Sequence, residues 1–330
     1  MKTLSIGKFH GLLKCSTASG ALVILSVDHR GSLRSLLSPD RSSLVTDNDL
    51  MTFKLDVVKT LGDDVSGIIL DPQYGAGQMI THLYRPKTAG LIIAVEASGY
   101  SGTKSDRCSQ VLTDWSVAKA TRMGADAIRL LVYYHPEADS APAIESLVDS
   151  IAQECHMMDR PLFLAAMPYS LKAEDPTLSP GQLRESVIET ARILTNIPNV
   201  DVYMTVFPTD VHVVENQSEW ETACADLSQA SRVPWVLISS GVVFDVFLRM
   251  VEIACRQGAS GAAAGRAAWQ EAVSMKPKER EMYLHRTGRS RLSQLAMTCD
   301  SAAVPWMKFH SPPELTGNWY EDYSGFNNHF

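Results

Sequence analysis

The chain has 330 residues, 45% hydrophobic and 20% charged, enough to bury a large core as one big domain or two small ones. A net charge of −7, with 30 Lys and Arg and 37 Asp and Glu dispersed rather than blocked, argues against general nucleic-acid or membrane-surface binding. No segment reaches the roughly 18 apolar residues a membrane span needs. The N-terminal stretch has no apolar core of signal-peptide length. Cys15, Cys108, Cys155, Cys224, Cys255 and Cys299 lie far apart with no CxxC, which points to a reducing compartment; the expected location is cytoplasmic.

In chain order, short apolar runs alternate with longer amphipathic stretches. Strands are predicted at 21–27 (ALVILSV), 66–70 (SGIIL), 91–95 (LIIAV) and 127–134 (AIRLLVYY), then at 162–167 (LFLAAM), 200–207 (VDVYMTVF), 235–239 (WVLIS) and 261–264 (GAAA). The last has the lowest β propensity of the eight. Helical patterns such as APAIESLVDSIAQECHM and FDVFLRMVEIACRQG fill the gaps, several opening on Ser, Asp or Pro and closing on Gly or Asn. Eight βα units within about 250 residues predict a (β/α)₈ TIM barrel; a doubly wound sheet would want GxGxxG after the first strand, and none is present. The expected division is a barrel over 1–275, then a C-terminal helix (KPKEREMYLHRTGRSRLSQLAMTC) and an irregular aromatic tail over 276–330. That tail is too apolar for water, so it should pack on the barrel or a neighbouring subunit.

Working residues of a barrel sit at the carboxyl ends of its strands. Those ends carry Asp28, His29 and Arg30, then Asp71, Gln73 and Tyr74, then Glu96 and Ser98. The fourth carries Tyr133, Tyr134 and His135, with Arg129 inside the strand; Tyr169 and Lys172 follow the fifth. The sixth offers Thr205, Asp210 and His212. On the last two strands, ISSGV and AGRAAW each place a small-residue turn before a helix, so free N–H groups converge with the fixed charge of Arg266. Ser240, Gly241, Gly265 and Arg266 therefore predict an anion site of the phosphate type. No cofactor is expected. A divalent metal is the variant, with His29, Asp71, Glu96, His135 and His212 as ligand candidates, although no HxH or HxxxH spacing supports it.

Five segments, LSVDHRGSLRSLL, FKLDVVKTLGDDVSGIILDPQYG, TDWSVAKATRMGADAIRLLVYYHPEAD, PWVLISSGV and QGASGAAAGRAAW, occur in the order and spacing of a known family. Over residues 20–275 the chain resembles the class I aldolases of the tagatose-bisphosphate and sulfofructose-phosphate type, in the DeoC/LacD superfamily. The resemblance implies a (β/α)₈ barrel that makes or breaks a carbon–carbon bond in a phosphorylated ketose. Asp28 and Asp71 match family positions. The resemblance assigns Asp28 to substrate hydroxyls or proton transfer; an ion pair is an alternative for Asp71. Arg30, Asp71, Gln73, Tyr134 and Ser240 are expected to bind substrate.

Four positions depart from the pattern. Family members read VDxxKVExP on strand six, the lysine forming a Schiff base with the ketone; here the stretch is VDVYMTVFP, with Met204 for the lysine and Val206 for the glutamate. Arg129 replaces the family's strand-four lysine and Ala165 its strand-five glutamate. A thioether cannot condense with a carbonyl, and a guanidinium stays protonated at working pH. Lys172 is the one lysine expected near the mouth, and solvent should hold it near its ordinary value. The reading is an enzyme for a phosphorylated or sulfonated ketose, a lyase or an isomerase or epimerase, working without an imine. Asp28 or His29 would move protons and Arg129 would hold an oxyanion. The alternative is a catalytically silent homologue that binds a sugar phosphate and regulates a partner. Its ligand would be a small anionic sugar, with a homo-oligomer expected.

Overall fold

The computed structural model describes every residue except Arg85, Lys87, Pro176, Thr316, Asp322 and 324–330. Eight parallel strands close into a barrel: β1 (Leu22–Ser26), β2 (Gly67–Leu70), β3 (Gly90–Ala94), β4 (Ala127–Tyr133), β5 (Leu162–Met167), β6 (Val202–Thr205), β7 (Trp235–Ile238) and β8 (Gly261–Ala264). Each pairs with the next, and β8 closes on β1 through Ala262 opposite Val23 and Ala263 opposite Ile24. All eight fall within the predicted apolar runs or overlap them by most of their length, the sixth shortened at both ends.

Alternation along the strands separates two cores. Leu22, Ile24, Ile69, Ile92, Phe163 and Val202 point inward and fill the lower barrel. Their neighbours Val23, Leu25, Ile68, Leu164 and Tyr203 point outward into the shell of helices. The helix Ile6–Lys14 seals the bottom, with Leu12 fully buried and Phe9 edge-on to Trp306 at 4.9 Å. Lys8 enters that plug because it meets Asp201 at 2.7 Å, both groups buried; an unpaired charge there would be costly.

GAAA is a strand despite its propensity because the space requires it. A Cβ on Gly261, at φ +150°, would lie 2.0 Å from the Leu22 carbonyl oxygen. Close approach of β8 to β1 therefore selects glycine, then alanines.

The predicted C-terminal helix is observed in pieces: Pro277–Tyr283, a π-helical turn Leu284–Gly288, and Arg289–Ala302. The turn falls where Gly288 packs over Leu61 of the helix Asp47–Leu61; a Cβ would sit 3.0 Å from the leucine. The last helix buries Leu292, Leu295 and Cys299 against Phe244–Arg256, β8 and β1. It thereby supplies the outer layer beside β8, whose own helix, Arg266–Trp269, has four residues. Beyond it Trp306 is fully buried, and His310–Ser311 pairs with Lys2–Thr3. Among the described residues no helix is long and apolar enough to cross a membrane.

Candidate active site

The cavity at the carboxyl end of the barrel, about 270 Å³, gathers residues from all eight strands or the loops after them, β2 contributing Ile69. β1 and its loop give Ser26, Asp28, His29, Arg30 and Ser32; the loop after β3 gives Glu96, Ser98 and Gly99. β4 gives Arg129, Leu131 and Tyr133; β5, Ala165 and Met167; β6, Met204. Ile238, Ser239 and Ser240 come from β7, and Ala263, Gly265 and Arg266 from β8. Among the described residues no lysine lines it. Met204 faces the cavity and Thr205 does not, as the two-residue period of β6 dictates.

Arg129 is the centre of the charge array. Its guanidinium, 3% exposed, bonds the Asp28 carboxylate and lies 3.0 Å from Glu96 Oε1. Arg30 reaches the same Glu96 oxygen at 3.3 Å and donates to the Glu96 carbonyl at 2.8 Å. The second Glu96 oxygen accepts the Leu131 N–H at 3.1 Å. Burial raises the Glu96 carboxyl to about 7, with Arg30 opposing. The ion-pair distances alone would suggest an easily ionised acid, but complete removal from water is the larger effect. Burial lowers Arg129 to about 9, which leaves it cationic at neutral pH.

His29 stands edge-on to Trp269 at 5.1 Å. Burial, then the charges of Arg266 and Lys54, lower it to about 3, so the imidazole is neutral at pH 7. Its Nδ1 is buried without a partner, 4.0 Å from Asp28 and too far for a hydrogen bond; Arg129 Nε is also buried and unpartnered. These two unsatisfied polar atoms are closed off from solvent behind the cavity wall.

Across the cavity, Arg266 is half-buried and has no hydrogen bond or ion pair among the described residues. Gly241, at φ +88°, lies directly beneath it: a Cβ there would be 2.9 Å from the guanidinium carbon. The Gly265 N–H is used within the turn, donating to Ser239 Oγ at 3.3 Å. So Ser240, Gly265 and Arg266 border the cavity, and Gly241 makes room for the arginine.

Three expected substrate residues lie elsewhere. Tyr134 points outward from the end of β4, 1% exposed, donating to Glu145 at 2.6 Å; alternation puts Tyr133 in the cavity instead. Asp71 is fully buried in an ion pair with Lys54 and accepts the N–H groups of Gln73 and Tyr74. It holds the loop after β2. Gln73 accepts from Arg30 at 3.2 Å.

The metal candidates are scattered. His29 and Glu96 line the cavity, Asp71 is paired with Lys54, His135 borders a separate pocket with Glu185 and Ser186, and His212 is exposed. No three His, Cys, Asp or Glu side chains form a metal-holding group among the described residues. Lys172 borders the pocket of His135 and is exposed; Lys87 lies outside the described residues.

A family model for the DeoC/LacD family aldolases matches residues 22–271, the whole barrel. The chain belongs to the DeoC/LacD aldolase family. Its relatives include a tagatose 1,6-diphosphate aldolase of Listeria monocytogenes serotype 4a (strain HCC23), 28% identical over 93% of this chain and 95% of the relative. Tagatose 1,6-diphosphate aldolase 2 of Enterococcus faecalis (strain ATCC 700802 / V583) is 29% identical over 93% of this chain and 97% of the relative. An archaeal fructose 1,6-bisphosphate aldolase shares the fold at TM-score 0.59, 19% identical, covering 88% of this chain and 98% of that one. So does an archaeal fructose-1,6-bisphosphate aldolase described with its catalytic Lys covalently bound to the carbinolamine intermediate, at TM-score 0.57, 18% identity and the same coverage.

Glu96 is the site residue that sequence reading undervalued. It was visible at a strand end but carried only a ligand role. Its contact with two arginines depends on how β1, β3 and β4 meet, and no local pattern encodes that.

Proposed function

We propose that the protein acts on a phosphorylated or sulfonated ketose as an aldolase-type carbon–carbon lyase, without forming an imine on β6. The cavity's charge layout supports this reading: Arg266 stands unpaired on one side, the Asp28–Arg129–Glu96 array on the other, and Met204, which the sequence resemblance sets at the family's lysine position, lines the wall. Arg266 and Ser240 would hold the anionic end, and Arg30 and Arg129 the oxygens near the reacting carbons.

In the proposed cleavage, the Asp28 carboxylate or the neutral His29 takes the proton of the hydroxyl β to the ketone. The carbon–carbon bond breaks, leaving an aldehyde, and its electron pair moves into the ketone as an enolate. Arg129 stabilises the enolate oxygen, and protonated Glu96 returns a proton to the enolate carbon. Isomerisation or epimerisation would use the same groups. No cofactor enters this route.

A second reading, a silent homologue that binds the sugar and regulates a partner, is supported by the pairing of Ala165 with Met204 across β5 and β6, which leaves that wall without a proton-transfer group. NMR of candidate ketose phosphates, with and without a chelator, separates the readings. Product formation unaffected by chelator is expected. No turnover with binding retained would favour the silent reading, and turnover abolished by chelator a metal route. A homo-oligomer is part of the proposal, supported by the exposed aromatic group Trp319, Tyr320 and Tyr323. Sedimentation velocity measures it.

A further inference from the structure

The two halves of the cavity differ in chemistry. The half over β1 to β3, reached by Arg129 from β4, is charged above Ile69 of β2. From Leu131 of β4 round to β8 the wall is hydrocarbon below the rim: Leu131, Ala165, Met167, Met204, Ile238 and Ala263. These residues are contiguous. Leu131 is registered with Ala165 across β4 and β5, Ala165 with Met204 across β5 and β6, and Ile238 with Ala263 across β7 and β8. Backbone groups between them are engaged in the barrel ladder, and the nearest polar groups on that side, Ser239, Ser240 and Arg266, stand above them in the loops after β7 and β8.

A fully hydroxylated ketose, gripped by its anion at Arg266 and by its oxygens at Arg129 and His29, would turn at least one hydroxyl against this wall. That hydroxyl would leave water without gaining a partner, which weakens binding on the order of tenfold. A methyl or methylene at the same place would gain by burial.

Resting on the proposed function above, we infer that the preferred substrates are deoxygenated ketose phosphates, presenting an alkyl group to the Met204–Ala165 wall. The retained oxygens face Asp28, His29 and Arg129, which line the charged side of the cavity. Met204 is then a specificity residue: its flexible thioether fits an alkyl group and offers a hydroxyl no donor.

Calorimetry with 1-deoxy-D-xylulose 5-phosphate and D-xylulose 5-phosphate, which share the anion and the ketone and differ by one hydroxyl, tests this. The methyl ketone should bind the native protein at least about tenfold more tightly. Met204→Gln, which places an amide on the wall, should narrow the ratio several-fold, as should the smaller change Ala165→Ser if the first variant folds poorly. Equal or tighter binding of D-xylulose 5-phosphate by the native protein overturns the inference and leaves the proposed function standing. A preference that neither substitution changes also overturns it, since the discrimination then lies elsewhere. If neither ester binds, the reading of the cavity as an anionic ketose site falls, and this inference with it.

Discussion

At Glu96 the cost of leaving water exceeds what Arg30 returns, and the direction of its shift makes the consequence measurable. A carboxyl raised in the folded state to about 7 adds stability below its unfolded value, near 4.5, and loses it as pH rises through 7. The fall is on the order of 3 kcal/mol between those limits. Glu96→Gln should flatten the decline in unfolding free energy between pH 5 and 7, read by chemical denaturation at a series of pH values. Turnover that needs the protonated acid should fall above pH 7 in the native enzyme, and the variant should be slow with no such limb. Arg266 answers to a simpler rule. Half-buried and unpaired, it costs the apo-protein some desolvation, so Arg266→Met should leave Tm unchanged or raise it. Loss of hydrogen bonds from a charged donor, about 1.5–3 kcal/mol, should weaken sugar-phosphate affinity by roughly ten- to a hundredfold.

Among the elements, the C-terminal helix Arg289–Ala302 carries barrel core. Leu295→Ala should cost about 2–5 kcal/mol in chemical denaturation, because a buried leucine leaves a cavity. Met297→Ala, two residues on and 70% exposed, should cost under about 0.5 kcal/mol. The strands were legible because buried parallel strands read as continuous apolar runs, and chain order then fixed which ends carry chemistry. Parity at strand ends was not legible. Tyr133 and Tyr134 are chemically alike, and only the register of β4 against β5 decides that the first lines the cavity and the second meets Glu145. Asp71 was ambiguous for a related reason: its partner Lys54 lies in the preceding helix, and nothing in DPQYG shows which way the carboxylate turns. The hairpin that pairs Ser101–Gly102 with Arg107–Cys108 had no sequence signal strong enough to separate it from loop. In it Arg107 stacks on Tyr100, Tyr133 and Tyr169 with ring distances of 4.7, 5.4 and 4.8 Å, a contact made by three separate segments.

At the scale of the whole molecule, the barrel is sealed below by the helix Ile6–Lys14 and Trp306, so the cavity opens only where the strand ends and their loops meet. Three arginines against two carboxylates, one of them half-titrated at pH 7, give that opening a positive balance suited to an anionic sugar. What it lacks, among the described residues, is an amine within the cavity. Intact-mass spectrometry of the protein incubated with D-tagatose 1,6-bisphosphate and sodium borohydride, in the same preparation whose binding is followed by calorimetry, tests that most directly. The expected result is heat of binding with the chain mass unchanged. A mass gain equal to one reduced ketose bisphosphate would show a covalent imine and contradict it.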